Sequence, residues 1–127
     1  PGVNIGLFCS TPMVALSRNV NKKNSMKMLL TGDSINAKVA KEIGLINEFY
    51  SLDKLESEVN TIAKKIASKS NIVLKIGKSA FYDQLEMSLD KAYKYTSKVM
   101  TKNMMTEDAK EGITSFIEKR SPIWKNK

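Results

Sequence analysis

MKMLLTGDSINAKVAKEIGLINEFY, residues 26–50, holds two successive helix endings, and the rest of the chain reads outward from it. Met26, Leu29 and Leu30 make an apolar stripe that stops at Gly32, and glycine takes the left-handed position after a helix end at no steric cost. Asn36 stands before AKVAKEI as an N-cap, its side-chain oxygen able to accept a bond from an unpaired N–H of the first turn. Ala37, Val39 and Ala40 present small or branched groups to neighbouring elements, while Lys38, Lys41 and Glu42 face water. Gly44 closes this short helix, and residues 45–50 read as an extended or weakly stranded exit.

Upstream, Val3, Ile5 and Leu7 alternate in PGVNIGLF, which predicts a short strand over residues 1–8. CSTPM turns into a helix capped by Ser10 or Thr11, with Pro12 in the first turn where its missing N–H costs nothing, running through Val14, Leu16 and Val20. The next helix is expected from Asn24 or Ser25. Downstream, Ser51 is placed to cap LDKLESEVNTIAKKIAS, whose Leu52, Leu55, Val59, Ile62, Ile66 and Ala67 follow one helical face, with acids in its first turns and lysines in its last. Ser70 or Asn71 opens a helix that turns Val73, Ile76, Ala80, Phe81 and Leu85 toward the core. Gly77 inside it implies a closely crossing neighbour. Ser88 caps the following helix, and Thr106 caps a last one that is acidic in front, basic behind at Lys119 and Arg120, and ended by Pro122. The predicted fold class is therefore mainly α, with one or two short strands and short links.

The composition excludes several classes. The chain has 127 residues, 42% hydrophobic and 27% charged, the range of an ordinary globular domain with a modest core. No apolar run approaches the roughly 20 residues a membrane-crossing helix needs, and PGVNIGLF carries no basic, apolar or cleavage-site pattern of a targeting peptide. Cys9 is the single cysteine and histidine is absent, so no internal disulfide and no zinc site are expected. Acid–base chemistry within these residues then falls to carboxylates, Lys or Tyr. The net charge of +8, from 21 basic and 13 acidic residues, suits an anionic partner and equally suits a solvated lysine-rich surface.

TGDSINAKVAKEIGLIN resembles a segment of the enoyl-CoA hydratase/isomerase, or crotonase, superfamily through Thr31, Gly32, Asp33, Ile35, Ala37, Ala40, Gly44 and Leu45. EGITSFIEKRSPIW is similar to that family's ending through Glu111, Gly112, Phe116, Glu118, Lys119, Arg120, Pro122 and Trp124. The resemblance implies the C-terminal helical portion of the α/β crotonase fold. Residues 1–50 would end the spiral core region and connect to it, and residues 51–127 would form the oligomerisation helices. It also implies an intracellular protein, with mitochondria among the compartments left open.

Residue by residue, the resemblance implies no covalently bound cofactor, no metal, and a coenzyme A thioester as substrate or ligand. The family's second catalytic glutamate follows a proline, and here Gly2 follows Pro1, so no catalytic residue is assigned within the chain. The family's backbone N–H pair, which polarises the thioester carbonyl, and its first glutamate lie upstream of the segment matched here. Alone, these residues are not expected to hydrate an enoyl-CoA. Leu7, Cys9 and Ser10 would lie in the acyl-pocket loop; with no histidine to activate Cys9 or Ser10, both read equally as small loop residues. Lys119 would reach the phosphate-bearing end of coenzyme A, or serve only to complement a helix dipole. Met100 would stand where relatives place an aromatic against adenine, or lie in the core. Ile113, Phe116 and Ile117 share one face that would seek another chain, and Trp124 would close over a neighbour. The partners expected are acyl-CoA and further copies, as a trimer or dimer of trimers, without nucleic acid or membrane. Two other readings stand beside this one: a catalytically silent acyl-CoA-binding or assembly protein, suggested by Gly2, and a basic nucleic-acid-binding helical module, whose lysines are scattered over several helices without a motif.

Overall fold

The structure, a computed structural model, describes residues 2–127. After a 3-10 turn at Gly2–Ile5 come seven helices: α1 (Pro12–Asn19), α2 (Lys22–Thr31), α3 (Ala37–Glu42), α4 (Leu52–Ala67), α5 (Asn71–Leu85), α6 (Leu89–Met104) and α7 (Glu107–Ile117). They fall into two compact units, Pro1–Glu58 and Val59–Lys127, with α4 running across the division.

No strand forms among the described residues, which corrects both stranded expectations. A strand needs a neighbour to take its backbone groups, and here those groups close locally. The Leu7 N–H donates to the Gly2 carbonyl at 2.9 Å, and Gly6 turns the chain at φ +78°. At the other place, the N–H groups of Leu45 and Ile46 both return to the Ala40 carbonyl, at 2.9 and 3.3 Å. Pro1, which the first expected strand included, lies outside the described residues.

In the first unit the two glycines of the opening stretch behave as read. Gly32 ends α2 at φ +64° and Gly44 follows α3 at φ +79°. Gly32 is constrained twice, because a Cβ there would also sit 2.8 Å from Asn4 Oδ1 and 2.9 Å from Val3 Cγ2. Asn36 caps α3 by accepting from the Val39 N–H at 2.9 Å. Two starts differ from expectation. α2 begins earlier, because Asn21 is its cap and accepts from Asn24 N–H at 3.0 Å. α1 opens on Pro12 with no side-chain cap: Thr11 is helical itself, and the Ser10 hydroxyl donates backwards to the Phe8 carbonyl at 3.2 Å.

In the second unit α5 and α6 pair as an antiparallel hairpin, tied where the Tyr95 hydroxyl donates to Asp83 at 2.8 Å, and α7 packs against both. Ser70 and Thr106 cap α5 and α7 as expected, accepting from Val73 and Ala109 N–H at 3.4 and 3.1 Å. Ser88 holds the cap position of α6 without a side-chain bond. Gly77 is not at a close crossing, for a Cβ there would meet nothing within 4 Å. Gly77→Ala should therefore stabilise the chain by up to about 1 kcal/mol, measured as a higher urea midpoint; a lower midpoint would mean that something does pack there.

The hydrophobic residues that the described structure buries are few and mostly small: Val20, Ala40 and Ala80. The expected core face of α5 keeps only Ala80 inside, with Phe81 and Leu85 exposed. All five large apolar positions of the α4 face are exposed, Leu52 at 91%. The helical periodicity is real, but its apolar faces are left without cover in the chain.

Candidate functional site

The last helix carries two carboxylates one turn apart, Asp108 and Glu111, and the chain beyond α7 folds back onto both. Asp108 is 1% exposed. Its oxygens accept from the N–H of Lys125 at 2.7 Å and from the N–H of Asn126 at 3.1 and 3.0 Å, and its own N–H donates to Lys127 O at 3.2 Å. Burial pushes its carboxyl up, but the Ser70 hydroxyl and those two N–H groups outweigh it and hold the group below the usual carboxylate value.

Glu111 takes the Arg120 guanidinium on both oxygens, at 2.6 and 3.0 Å, and accepts from Ile123 N–H at 2.9 Å. Arg120 also grips Glu118 at 2.6 Å. This fork-shaped pairing is the geometry for which arginine is suited and lysine is not. The bond from Arg120, with the Ile123 N–H second, lowers the Glu111 carboxyl from 4.5 to about 2. Because the folded value lies below the unfolded one, the contribution is complete above about pH 4.5 and is lost as pH falls toward about 2. The urea midpoint should accordingly drop over that window by more in the native chain than in Glu111→Gln, and parallel curves would refute the role given to this pair.

Two further contacts complete the clasp. The Trp124 indole N–H donates to the Ser68 carbonyl at 2.9 Å, just past α4, and the ring lies where a Cβ on Gly112 would touch it at 3.5 Å. Within the chain, Trp124 thus lies over α7. With Val73, Leu74, Ile113 and Phe116 it walls an apolar concavity of about 630 Å³.

Lys119 and Arg120 are not in the last helix, and Pro122 does not end it. α7 stops at Ile117, and Lys119 adopts φ +54°. The Lys119 N–H bonds back to the Phe116 carbonyl and the Arg120 N–H to the Ser115 carbonyl, at 3.3 and 3.0 Å, a Schellman ending with lysine where glycine is usual. The Lys119 side chain is exposed, and its ammonium joins no ion pair among the described residues. Met100, 59% exposed on α6, is on the surface and not in the core, and neither it nor Lys119 lines the concavity.

In the first unit, Gly2, Leu7, Cys9 and Ser10 share one turn. A Cβ on Gly2 would fall 2.5 Å from Cys9 Sγ and 2.8 Å from the Leu7 carbonyl oxygen, so the turn leaves no room for a side chain at position 2. Leu7 is exposed; Cys9 is a half-buried free thiol. Cys9 lines a cavity of about 240 Å³ with Pro12, Leu16, Met28, Leu29 and Asp33. The Ser10 hydroxyl and N–H both go to the Phe8 carbonyl. Among the described residues no group of three His, Cys, Asp or Glu gathers as metal ligands, and no helix is long and apolar enough to cross a membrane.

Sequence reasoning missed Asp108 and the Glu111–Arg120 pair. Asp108 reads from the sequence as part of the acidic front of α7 and Glu111 as a residue of the family-like ending, and the matching signal, a carboxylate one turn into a helix and an arginine nine residues on, has meaning only once the tail turns back.

These helices match the helical C-terminal part of the crotonase fold, and the chain belongs to the enoyl-CoA hydratase/isomerase family, whose sequence profile matches residues 1–127. It is 50% identical over 124 residues to the mitochondrial enoyl-CoA hydratase domain-containing protein 3 of Xenopus laevis, covering 98% of this chain and 42% of that protein. Identity to the human mitochondrial counterpart is 48%, over 98% of this chain and 41% of that one. The crystal structure of human enoyl-CoA hydratase domain-containing protein 3 superposes with a TM-score of 0.92 at 48% identity, covering 98% of this chain and 49% of that one. An enoyl-CoA hydratase of Mycobacterium smegmatis superposes at 0.93 with 43% identity, over 97% and 48% of the two chains. The chain spans about two fifths of the length of the curated relatives it matches, and what it matches in the solved structures is their helical C-terminal part.

Proposed function

We propose that these residues supply the oligomerisation helices and part of the coenzyme A contact of a crotonase-family protein that handles acyl-CoA thioesters. The observation that carries this reading is Lys119, an exposed ammonium in no ion pair among the described residues, held in a backbone conformation that costs an L-residue energy. A residue kept at such a position against glycine needs a reason outside the fold, and a polyphosphate is an anion suited to it. Met100 is an exposed apolar contact available to the nucleobase. Leu7, Cys9 and Ser10 belong to the turn assigned to the acyl end. The uncovered faces of α4 and α7 support association with further copies as a trimer or a dimer of trimers, with residues 1–50 as the end of the spiral core and 51–127 as the assembling part. Nucleic acid is not part of this reading, because the lysines form no single stripe. Relatives named mitochondrial support a mitochondrial setting.

Gly2 favours a second reading, in which the whole protein binds acyl-CoA without hydrating it. The glycine stands where hydratases carry a proton-relaying glutamate, and the turn around it has closed over the space for a side chain. Calorimetric titration of the whole protein with crotonyl-CoA, beside a hydration assay, separates the two: binding without turnover selects the silent form, and absence of binding removes both. Gly2→Glu alone should gain no hydration activity, because its Cβ collides with Cys9 Sγ; a gain in turnover would show that the turn yields.

A further inference from the structure

We infer that Glu111 and Arg120 are positioning residues for the Lys119 ammonium, pinning the turn that carries it, an inference that rests on the reading of Lys119 as a contact for the phosphates of coenzyme A. Lys119 sits between two anchored neighbours. Glu118 before it and Arg120 after it are bonded to each other at 2.6 Å, and Arg120 is bound again to both oxygens of Glu111, back inside α7. Glu111 Oε1 also holds the Ile123 N–H, so the chain is fixed three residues past Arg120. The left-handed conformation at Lys119 is intrinsically unfavourable for a residue with a Cβ. It persists because the bonds on either side over-determine it.

The pair does a second thing. Glu111 and Glu118 are the carboxylates nearest in sequence on either side of α7's end, and both are taken by the guanidinium. The arginine fork satisfies them together, leaving the neighbouring lysine uncommitted. An ammonium that neutralised either carboxylate would be worth little to an external anion. The turn thus presents a cation fixed in place and not internally paired, a pre-organised contact that loses less freedom when a phosphate arrives.

The test uses the whole protein titrated with coenzyme A and, separately, with pantetheine, which lacks the nucleotide phosphates. Glu111→Gln and Arg120→Lys should each weaken coenzyme A binding about tenfold and leave pantetheine binding unchanged, with the far-UV spectrum retained. Arg120→Lys keeps the charge but cannot span both carboxylates, so it separates positioning from net charge. Lys119→Ala should weaken coenzyme A binding similarly, and adding Glu111→Gln to it should cost nothing further, since both act through one contact. If Lys119→Ala weakens binding while Glu111→Gln and Arg120→Lys bind as the native protein does, the positioning role is overturned and the phosphate contact stands. Equal losses for coenzyme A and pantetheine would mark general damage and also overturn it. If Lys119→Ala has native affinity, the phosphate contact itself falls, and with it any ammonium to position.

Discussion

Asp108→Ala should lower the melting temperature by on the order of 10 °C and shift the Trp124 emission to longer wavelength. Asp108 is the most deeply enclosed polar side chain described, and it holds the N–H groups of Lys125 and Asn126 together with the Ser70 hydroxyl. Its removal leaves those donors without their acceptor and opens the wall of the concavity that Trp124 completes. Trp124 is the only tryptophan, so its emission reports on the clasp directly. Asp108→Asn retains one acceptor oxygen and should lie between native and alanine. A melting temperature and emission unchanged in Asp108→Ala would mean that the tail is held by something other than this carboxylate.

The chain by itself should sediment as a self-associated species at micromolar concentration, and Phe116→Asp should shift it toward monomer. Phe116 is 84% exposed, beside Ile113 and Ile117 on one face of α7, and Leu52, Leu55, Val59, Ile62 and Ile66 lie open along α4. Covering one such phenylalanine contributes about 1.5–3 kcal/mol, so a charge in its place should raise the dissociation constant by tenfold or more. A monodisperse native chain that melts cooperatively as a monomer would contradict this, because the uncovered faces would then have no need of a partner.

The same two elements show how far the sequence could be read. Asn36, Gly32, Gly44, Ser70 and Thr106 were legible as helix ends because a cap or a left-handed turn is settled within four residues, by bonds whose partners lie next to one another in the chain. The stripe on α4 and the face of α7 were legible as apolar periodicities. That they remain bare was not, since periodicity states which side seeks cover and says nothing about what covers it. The family ending is legible as a string of residues, with a ligand contact implied at Lys119 and packing at Phe116 and Trp124, but the bonds among its members are not. Folded, Glu111 and Arg120 are a salt bridge, Gly112 is the floor under Trp124, and Lys119 is the strained joint between helix and tail.

Sequence alone determined the helices, most of their boundaries, the family and the lack of histidine among these residues, all of which depend on residue identity or on contacts a few positions long. Tertiary structure decided that residues 2–8 turn instead of extending, that position 2 has no space for a side chain, and that a buried aspartate and a forked arginine gather the tail. Those outcomes are set by groups 5 to 18 residues apart, or by the presence or lack of a neighbouring strand. A chain can bring such partners together only when the turn between them has the right geometry, and no local propensity carries that information.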